Sequence, residues 1–185
     1  MNRLTELNQL AQKLSFRALT EFIGESADWT CEAAQTDDVF PWLCLVVLAS
    51  PDFVVHQKVL FSPASENFFL RRMGLKIASA SAADKDLTPL FDFIKEFSNL
   101  QAGSLKAVIE SNNSDIGMSL PIIMQGFEDL YFRDRADVAE SIWKITNSNV
   151  SLHIQMSVEI LNPQSFEALT LKLPTPQARR KIDYL

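Results

Sequence analysis

The sequence has few of the residues from which many catalytic and cofactor sites are built. It has only two cysteines, Cys31 and Cys44, and two histidines, His56 and His153, and these show no metal-ligand spacing. Five glycines in 185 residues leave little room for a glycine-rich phosphate-binding loop, and the sequence contains none. We therefore expect no metal site, no cofactor of the chain's own, and two reduced cysteines in a cytoplasmic protein.

Positive charge and long apolar runs are also scarce. The formal net charge is -6, and Lys and Arg are dense only at 71–72 and 179–181. Because nucleic-acid binding needs a basic surface to neutralise phosphates, we expect no nucleic-acid partner. The apolar run at 42–49 is the length of a strand, and the first sixteen residues lack the continuous apolar stretch of a signal peptide. We therefore expect no membrane partner.

The remaining composition is that of a folded globular protein. Hydrophobic residues make up 47% of the chain and charged residues 22%, a balance that permits a substantial core. Asn162-Pro163 is a turn-forming pair after the last clear strand pattern, and the residues beyond it become loose and partly basic. We predict a single domain over 1–162 and a C-terminal extension or tail over 163–185.

Hydrophobic periodicity predicts two long helices and several strands. The helical repeat covers 2–24 and 86–110, and alternation or short apolar runs predict strands at 29–34, 42–49, 53–61, 139–146 and 150–161. The apolar run 116–124 contains Pro121, which predicts an edge strand or a bulge there. Together these elements predict an α/β protein of the α+β type, with long helices packed on a largely antiparallel sheet.

The second long helix has an unusual polar side. One broad face is apolar, and the opposite side gathers Asp92, Glu96, Asn99, Gly103 and Lys106. Asn99 and Gly103 are poor helix formers that together cost roughly 1–2 kcal/mol relative to alanine. Phe93 and Leu100 flank this side where solvent is expected. The pattern predicts a docking surface, although Gly103 admitting another element of the fold, with Glu96 simply solvated, would give the same pattern.

The same helix resembles a known family signature. The spacing Asp92-x-x-x-Glu96-x-x-Asn99, followed by Gly103 and Lys106, is similar to the helix motif of the CheC/CheX/FliY chemotaxis phosphatases. That motif is followed by a proline a little over twenty residues beyond the asparagine, and Pro121 lies here one residue nearer than the usual spacing. In the first helix Glu6 is followed three residues later by Gln9 with no glycine after it, so a second motif there is at best decayed. The chain is therefore most similar to the CheX-like members, which carry a single motif.

This resemblance implies a CheC/CheX-like fold and a function. The family removes phosphate from the aspartate of CheY-type response regulators. Asn99 would orient the attacking water with its amide, and Glu96 would pair with the partner's active-site lysine. Any Mg²⁺ would belong to the response regulator. Asp92 and Gly103 would support docking, with Gly103 allowing close approach of the partner's backbone.

Two further contacts are assigned from the helical wheel alone. Phe93 and Leu100 would make apolar contacts at the rim of the docking surface.

CheX-type relatives also form dimers, and the hairpin around Asn147 is predicted as an exposed edge that could pair with a second copy. We therefore expect a homodimer.

Two other classes of function stay open. A non-catalytic adaptor could bind a response regulator or a flagellar switch component through the same helix face, without needing Asn99. A small-molecule sensor would need a buried polar cluster lined by aromatic residues, of which the sequence gives no clear sign. The presence of both Glu96 and Asn99 favours the phosphatase, since an adaptor has no use for a water-positioning amide.

Overall fold

A computed structural model describes residues 2–24, 28–35, 40–63, 68–69, 71, 87–111, 115–125 and 138–171 of the chain. Three helices have defined bounds: α1 (Arg3–Ile23), α2 (Thr88–Glu110) and α3 (Pro163–Ala168). The strands are β1 (Thr30–Ala33), β2 (Trp42–Ala49), β3 (Phe53–Phe61), β4 (Gly117–Met118), β5 (Ile122–Gln125), β6 (Val138–Thr146) and β7 (Ser151–Ile160). The predicted α+β architecture is confirmed.

The strands form one seven-stranded sheet in which every pairing is antiparallel. Its order is β1-β6-β7-β3-β2-β4, with β5 also paired to β2. The hairpin around Asn147 is therefore not an edge, because β1 pairs along Trp143–Thr146 on its outer side. The expectation of an exposed edge there is wrong, since a sequence pattern identifies a strand without identifying its neighbours.

Turn chemistry explains why the two predicted hairpins form where they do. In the β2–β3 turn, the backbone N–H groups of Asp52 and Phe53 donate to the Ser50 hydroxyl at 3.2 and 3.1 Å. In the β6–β7 turn, the N–H groups of Asn149 and Val150 donate to Asn147 Oδ1 at 2.9 and 3.0 Å. Such side-chain acceptors close turns at Ser and Asn without any tertiary contact, and both hairpins are confirmed.

The ends of α1 also follow from local chemistry. The Leu4 N–H donates to Asn2 Oδ1 at 3.0 Å, so Asn2 caps the N-terminus of the helix. Gly24 ends the helix with φ at 72°, a left-handed conformation that glycine adopts without steric cost. The predicted helix at 2–24 is thereby confirmed.

Both long helices pack on the same face of the sheet and against each other. The Phe91 ring lies 4.8 Å from Trp42 and 6.2 Å from Phe61, measured between ring centroids. The Phe22 ring of α1 stacks on Phe93 of α2 at 5.1 Å. The core between helices and sheet includes the following fully buried side chains of the strands: Cys44, Val46, Val55, Val59, Trp143, Ile154 and Met156.

The segment containing Pro121 lies at the edge of the sheet. Both β4 and β5 pair with β2, and residues 119–121 interrupt them. Because proline has no N–H to donate, it breaks the ladder at this point. The prediction of an edge strand or bulge is confirmed.

The first residues of the predicted tail pack on the domain. Phe166 of α3 is 1% exposed, and its ring lies 5.5 Å from Phe53. The Ser165 N–H donates to Asn162 Oδ1, which caps this short helix. Residues 163–169 therefore add to the core, and the rest of the predicted tail, 172–185, lies outside the described residues.

The packing predicts that the cysteine thiols react slowly. Cys44 is fully buried and burial raises its pKa, against a smaller lowering by the adjacent Ser98 side chain and the Lys95 ammonium. Burial and the Glu32 carboxylate raise the pKa of Cys31, which is half-buried. Because the thiolate is the reactive form, we expect Cys44 to react with a disulfide reagent at about pH 8 only after unfolding. Native Cys44 reacting at the rate of free cysteine would contradict this prediction.

Candidate functional site

The motif residues lie together on the outward side of α2. Asp92 and Glu96 are exposed, and Asn99 and Gly103 are half-buried. The side of the helix that packs inward holds the following buried residues: Leu90, Ile94, Phe97, Ala102, Leu105, Val108 and Ile109. We call the line formed by Asp92, Glu96, Asn99 and Gly103 the outward ridge. The amphipathic division of this helix is as predicted.

Glu96 and Asn99 are available for contacts with another molecule. Within the described part of the chain, neither side chain makes a hydrogen bond or an ion pair. They are three residues apart on one helix, which places their Cβ atoms about 5–6 Å from each other. The ridge thus presents a carboxylate acceptor beside an amide that can both donate and accept.

Lys106 lies one turn beyond Gly103 and is engaged within the helix. Its ammonium forms an ion pair with the Glu110 carboxylate, four residues on. With Lys106 paired in this way, the charges of the ridge itself are the carboxylates of Asp92 and Glu96, and the exposed Lys95 lies beside them on the same helix. A negative ridge next to a neutral amide is suited to a partner that offers a lysine or arginine.

Nothing in the packing of the described residues requires glycine at position 103. A Cβ placed on Gly103 would meet no atom of the described residues within 4 Å beyond the helix's own backbone, and the helix is regular there. Glycine in a helix interior costs about 1 kcal/mol relative to alanine. The alternative that Gly103 admits another element of this fold therefore finds no support among the described residues. Open space above a helical glycine is what close approach by a second molecule would need.

The expectation that Phe93 lies at an exposed rim is wrong. Phe93 is 2% exposed, and its ring stacks between Phe22 at 5.1 Å and Phe69 at 4.3 Å. Position 93 lies at the boundary of the apolar face, where α1 and the segment containing Phe69 cover it. Leu100 is 39% exposed, as the helical wheel predicts.

The structure adds an aromatic residue that the sequence did not indicate. Phe22, near the end of α1, is 36% exposed while it stacks on Phe93. Phe22 lies at the solvent-facing side of α2, where the helical wheel placed Phe93. Its place beside α2 depends on the antiparallel packing of the two helices, for which the sequence carries no local signal.

A shallow groove between the two long helices runs beside the ridge. Its volume is about 210 Å³, and it is lined by Leu14, Arg17, Ala18, Glu21, Ser104, Ala107 and Val108. The Arg17 and Glu21 side chains are paired at 2.8 Å on its α1 side. Glu96 and Asn99 do not line the groove. Both residues therefore lie outside this groove, on the outward side of the helix.

Two kinds of feature are absent from the described part of the chain. No group of three or more His, Cys, Asp or Glu side chains there is placed to hold a metal ion. None of the helices in that part of the chain has the length and apolarity needed to cross a membrane.

No protein-family model matches the chain, and no curated protein matches it in sequence. Its fold, however, is similar to solved structures. A CheC-like superfamily protein from Shewanella sp. PV-4 is 14% identical, with a TM-score of 0.61 over 86% of this chain and 99% of that one. The chemotaxis protein CheX from Vibrio vulnificus is 12% identical, with a TM-score of 0.62 over 83% of this chain and 99% of that one.

A third similar structure is a chain of the CheX–CheY–BeF₃–Mg²⁺ complex from Borrelia burgdorferi. It is 9% identical, with a TM-score of 0.62 over 82% of this chain and 96% of that one. These similarities span nearly the whole length of each matched protein. The chain therefore has the CheC/CheX-like α+β fold, as the resemblance of its second long helix predicts.

Proposed function

We propose that this protein dephosphorylates the aspartyl phosphate of a CheY-type response regulator. One observation carries the proposal: Glu96 and Asn99 lie together on the outward ridge of α2, unengaged by the described part of the chain. The CheC/CheX-like fold and the family spacing of these residues support it. The complex of CheX with CheY, BeF₃ and Mg²⁺ shows that another protein of this fold binds such a partner.

The reaction requires the phosphatase mainly to position the attacking water. An aspartyl phosphate is an acyl phosphate that water already hydrolyses, so no strong nucleophile is needed. The Asn99 amide would hold the attacking water in line with the P–O bond that breaks. That bond's electron pair leaves with the partner's carboxylate, and phosphate is released.

Glu96 would set the position of docking. Its carboxylate would accept a charge-assisted hydrogen bond from the partner's active-site lysine, one helical turn from Asn99. This pairing uses the negative charge at the exposed end of the ridge. A divalent ion would be bound by the response regulator, where it neutralises charge on the phosphoryl oxygens.

Two finer points belong to the same proposal. We propose a cytoplasmic protein, as the reduced cysteines indicate, and a homodimer, as the resemblance implies. Because β1 pairs with Trp143–Thr146, the part of β6 next to the Asn147 turn is already occupied and is not the contact we propose. The molecular mass from light scattering at micromolar concentration tests the dimer directly.

The proposal is tested with phosphorylated receiver domains of CheY type from the same genome. Phosphate release is followed with and without this protein, at fixed Mg²⁺, and binding is measured in parallel with a phosphoryl-mimicking receiver. Acceleration that grows with protein concentration and saturates supports the phosphatase. Binding without acceleration for every receiver would overturn it in favour of the adaptor.

Gly103→Ala provides a test in which stability and activity move in opposite directions. Because the added methyl meets none of the described residues within 4 Å beyond the helix's own backbone, we expect the free energy of unfolding to rise by about 0.5–1 kcal/mol. If the partner's backbone approaches there, the same methyl should raise KM for the phosphorylated receiver by about tenfold, or 1.4 kcal/mol. Urea unfolding and steady-state kinetics measure the two effects.

Ser104→Ala is the matched control for this change. Ser104 lies on the groove side of the same turn, where its hydroxyl donates to the Leu100 carbonyl at 2.8 Å. We expect a small gain in stability from the better helix former and no change in KM. An unchanged KM in Gly103→Ala would show that the partner does not approach the helix at this glycine.

A further inference from the structure

One cation lies beside Asn99 on the surface of α2. On a helix, the neighbours of a residue toward the N-terminus are the side chains three and four positions earlier, and for Asn99 these are Glu96 and Lys95. Both are exposed. Lys95 lies on the side of the helix toward β2, where its charge acts on the Cys44 thiol. The Asn99 amide therefore has a carboxylate and an ammonium group as its two neighbours.

Lys95 has no ion pair among the described residues. The other lysine of this helix, Lys106, pairs with Glu110 four residues on. The residue four positions after Lys95 is the neutral Asn99, and Asp92, three positions before it, is not paired with it in that part of the chain. The ammonium group of Lys95 is thus available to a group that binds over Asn99.

The substrate of the proposed reaction requires positive charge near Asn99. A phosphoryl group carries more than one negative charge at neutral pH, and the carboxylates of Asp92 and Glu96 would repel it. In the proposed docking, Glu96 also takes a lysine of the partner's active site, so that ammonium group is no longer free to neutralise the phosphoryl oxygens. A cation supplied by this chain offsets both effects.

We propose that Lys95 binds a phosphoryl oxygen of the receiver's aspartyl phosphate and so makes the ridge selective for the phosphorylated form. The Cβ atoms of Lys95 and Asn99 are about 5–6 Å apart, a gap that the four-carbon stem of lysine spans. An ammonium group binds phosphate as a point charge, without the fixed geometry of a guanidinium. Glu96 and Lys95 then make two oppositely charged contacts with the receiver, one on each side of the water that Asn99 holds.

The inference rests on the proposed function, but it is tested by binding alone. Because specificity is a difference between two affinities, binding of the CheY-type receiver is measured in two states: unmodified with Mg²⁺, and with BeF₃ and Mg²⁺ as the phosphoryl mimic. The test variant Lys95→Gln removes the charge and keeps a good helix former. Lys13→Gln is the matched control, since Lys13 is an exposed lysine of α1 without an ion pair in the described part of the chain. Lys95→Arg keeps the charge.

For Lys95→Gln we expect the dissociation constant of the BeF₃-loaded receiver to rise about tenfold, as when a hydrogen bond to a charged group is lost. The dissociation constant of the unmodified receiver should stay as in wild type. The loss should shrink as salt is raised, because exposed charges are screened. Lys95→Arg should keep most of the preference for the BeF₃-loaded state, and Lys13→Gln should change neither constant.

The inference would be overturned by a wild type that binds both states equally, by Lys95→Gln that keeps the preference, or by an equal loss in both states. The last result would make Lys95 a residue that only attracts the receiver. A wild type that prefers the BeF₃-loaded receiver without accelerating phosphate release would refute the proposed phosphatase, and the Lys95 comparison would still decide this inference. A wild type that binds no receiver in either state would refute both.

Discussion

Replacing Asn99 with alanine is expected to abolish most of the phosphatase activity and to leave the fold intact. The amide is half-buried on the outward ridge, and no described residue is bound to it. Its removal should not weaken the core, and alanine favours the helix. If the amide holds the attacking water, kcat should fall by about 10²- to 10³-fold, as when one positioned donor is removed from an active site.

The division between kcat and KM identifies the role of Asn99. A water-positioning residue acts in the transition state, so KM and receiver binding should stay near wild type. Asn149→Ala is the matched control, because it removes an exposed amide in the β6–β7 turn, far along the chain from the ridge. An Asn99→Ala protein that binds less tightly but turns over at the wild-type rate would make Asn99 a docking residue.

Local signals account for the parts of the fold that the sequence predicts well. The bounds of β2 and β3 match the predicted 42–49 and 53–61, because β2 is apolar throughout, β3 is apolar at both ends, and the turn between them is closed by Ser50. Asn2 and Gly24 delimit α1 through a cap and a left-handed conformation. In each case the residues that decide the boundary lie within a few positions of it.

The two wrong predictions, the exposure of Phe93 and the edge position of the Asn147 hairpin, both depend on tertiary neighbours. The wheel placed Phe93 beside Leu100 on the solvent side, and only the presence of Phe22 and Phe69 distinguishes the two positions. The interior place of the Asn147 hairpin depends on β1, more than a hundred residues earlier in the chain. Such contacts leave no periodic pattern in the segments that they join.

The ridge was predictable for a different reason, namely a conflict between local preference and position. Asn99 and Gly103 disfavour a helix, yet they occur in the middle of a 23-residue helix. Gln101 presents the same kind of conflict on the buried side, where it is 1% exposed. Residues that oppose the structure around them mark the places where function is expected.

Replacing Phe93 with alanine is expected to destabilise the protein more than any surface change on α2. Phe93 stacks between Phe22 and Phe69, so it joins α1 and the segment containing Phe69 to α2. Truncating a buried phenylalanine costs about 3–5 kcal/mol, and the two ring contacts place this site in the upper part of that range. Urea unfolding of the variant measures the loss. A loss below about 1 kcal/mol would show that these rings contribute little to the core.

Leu100→Ala is the matched comparison, because Leu100 lies seven residues later on the same side of the helix but is 39% exposed. Its truncation should change the free energy of unfolding by no more than about 0.5 kcal/mol, as is usual for surface positions. If it contacts the receiver, KM should rise while stability stays the same. Phe93→Ala, assayed under conditions in which it is still folded, should lower the free energy of unfolding and leave KM unchanged. The two variants thus separate the residue that holds the helices together from the residue that meets the partner, a distinction that the helical wheel could not make.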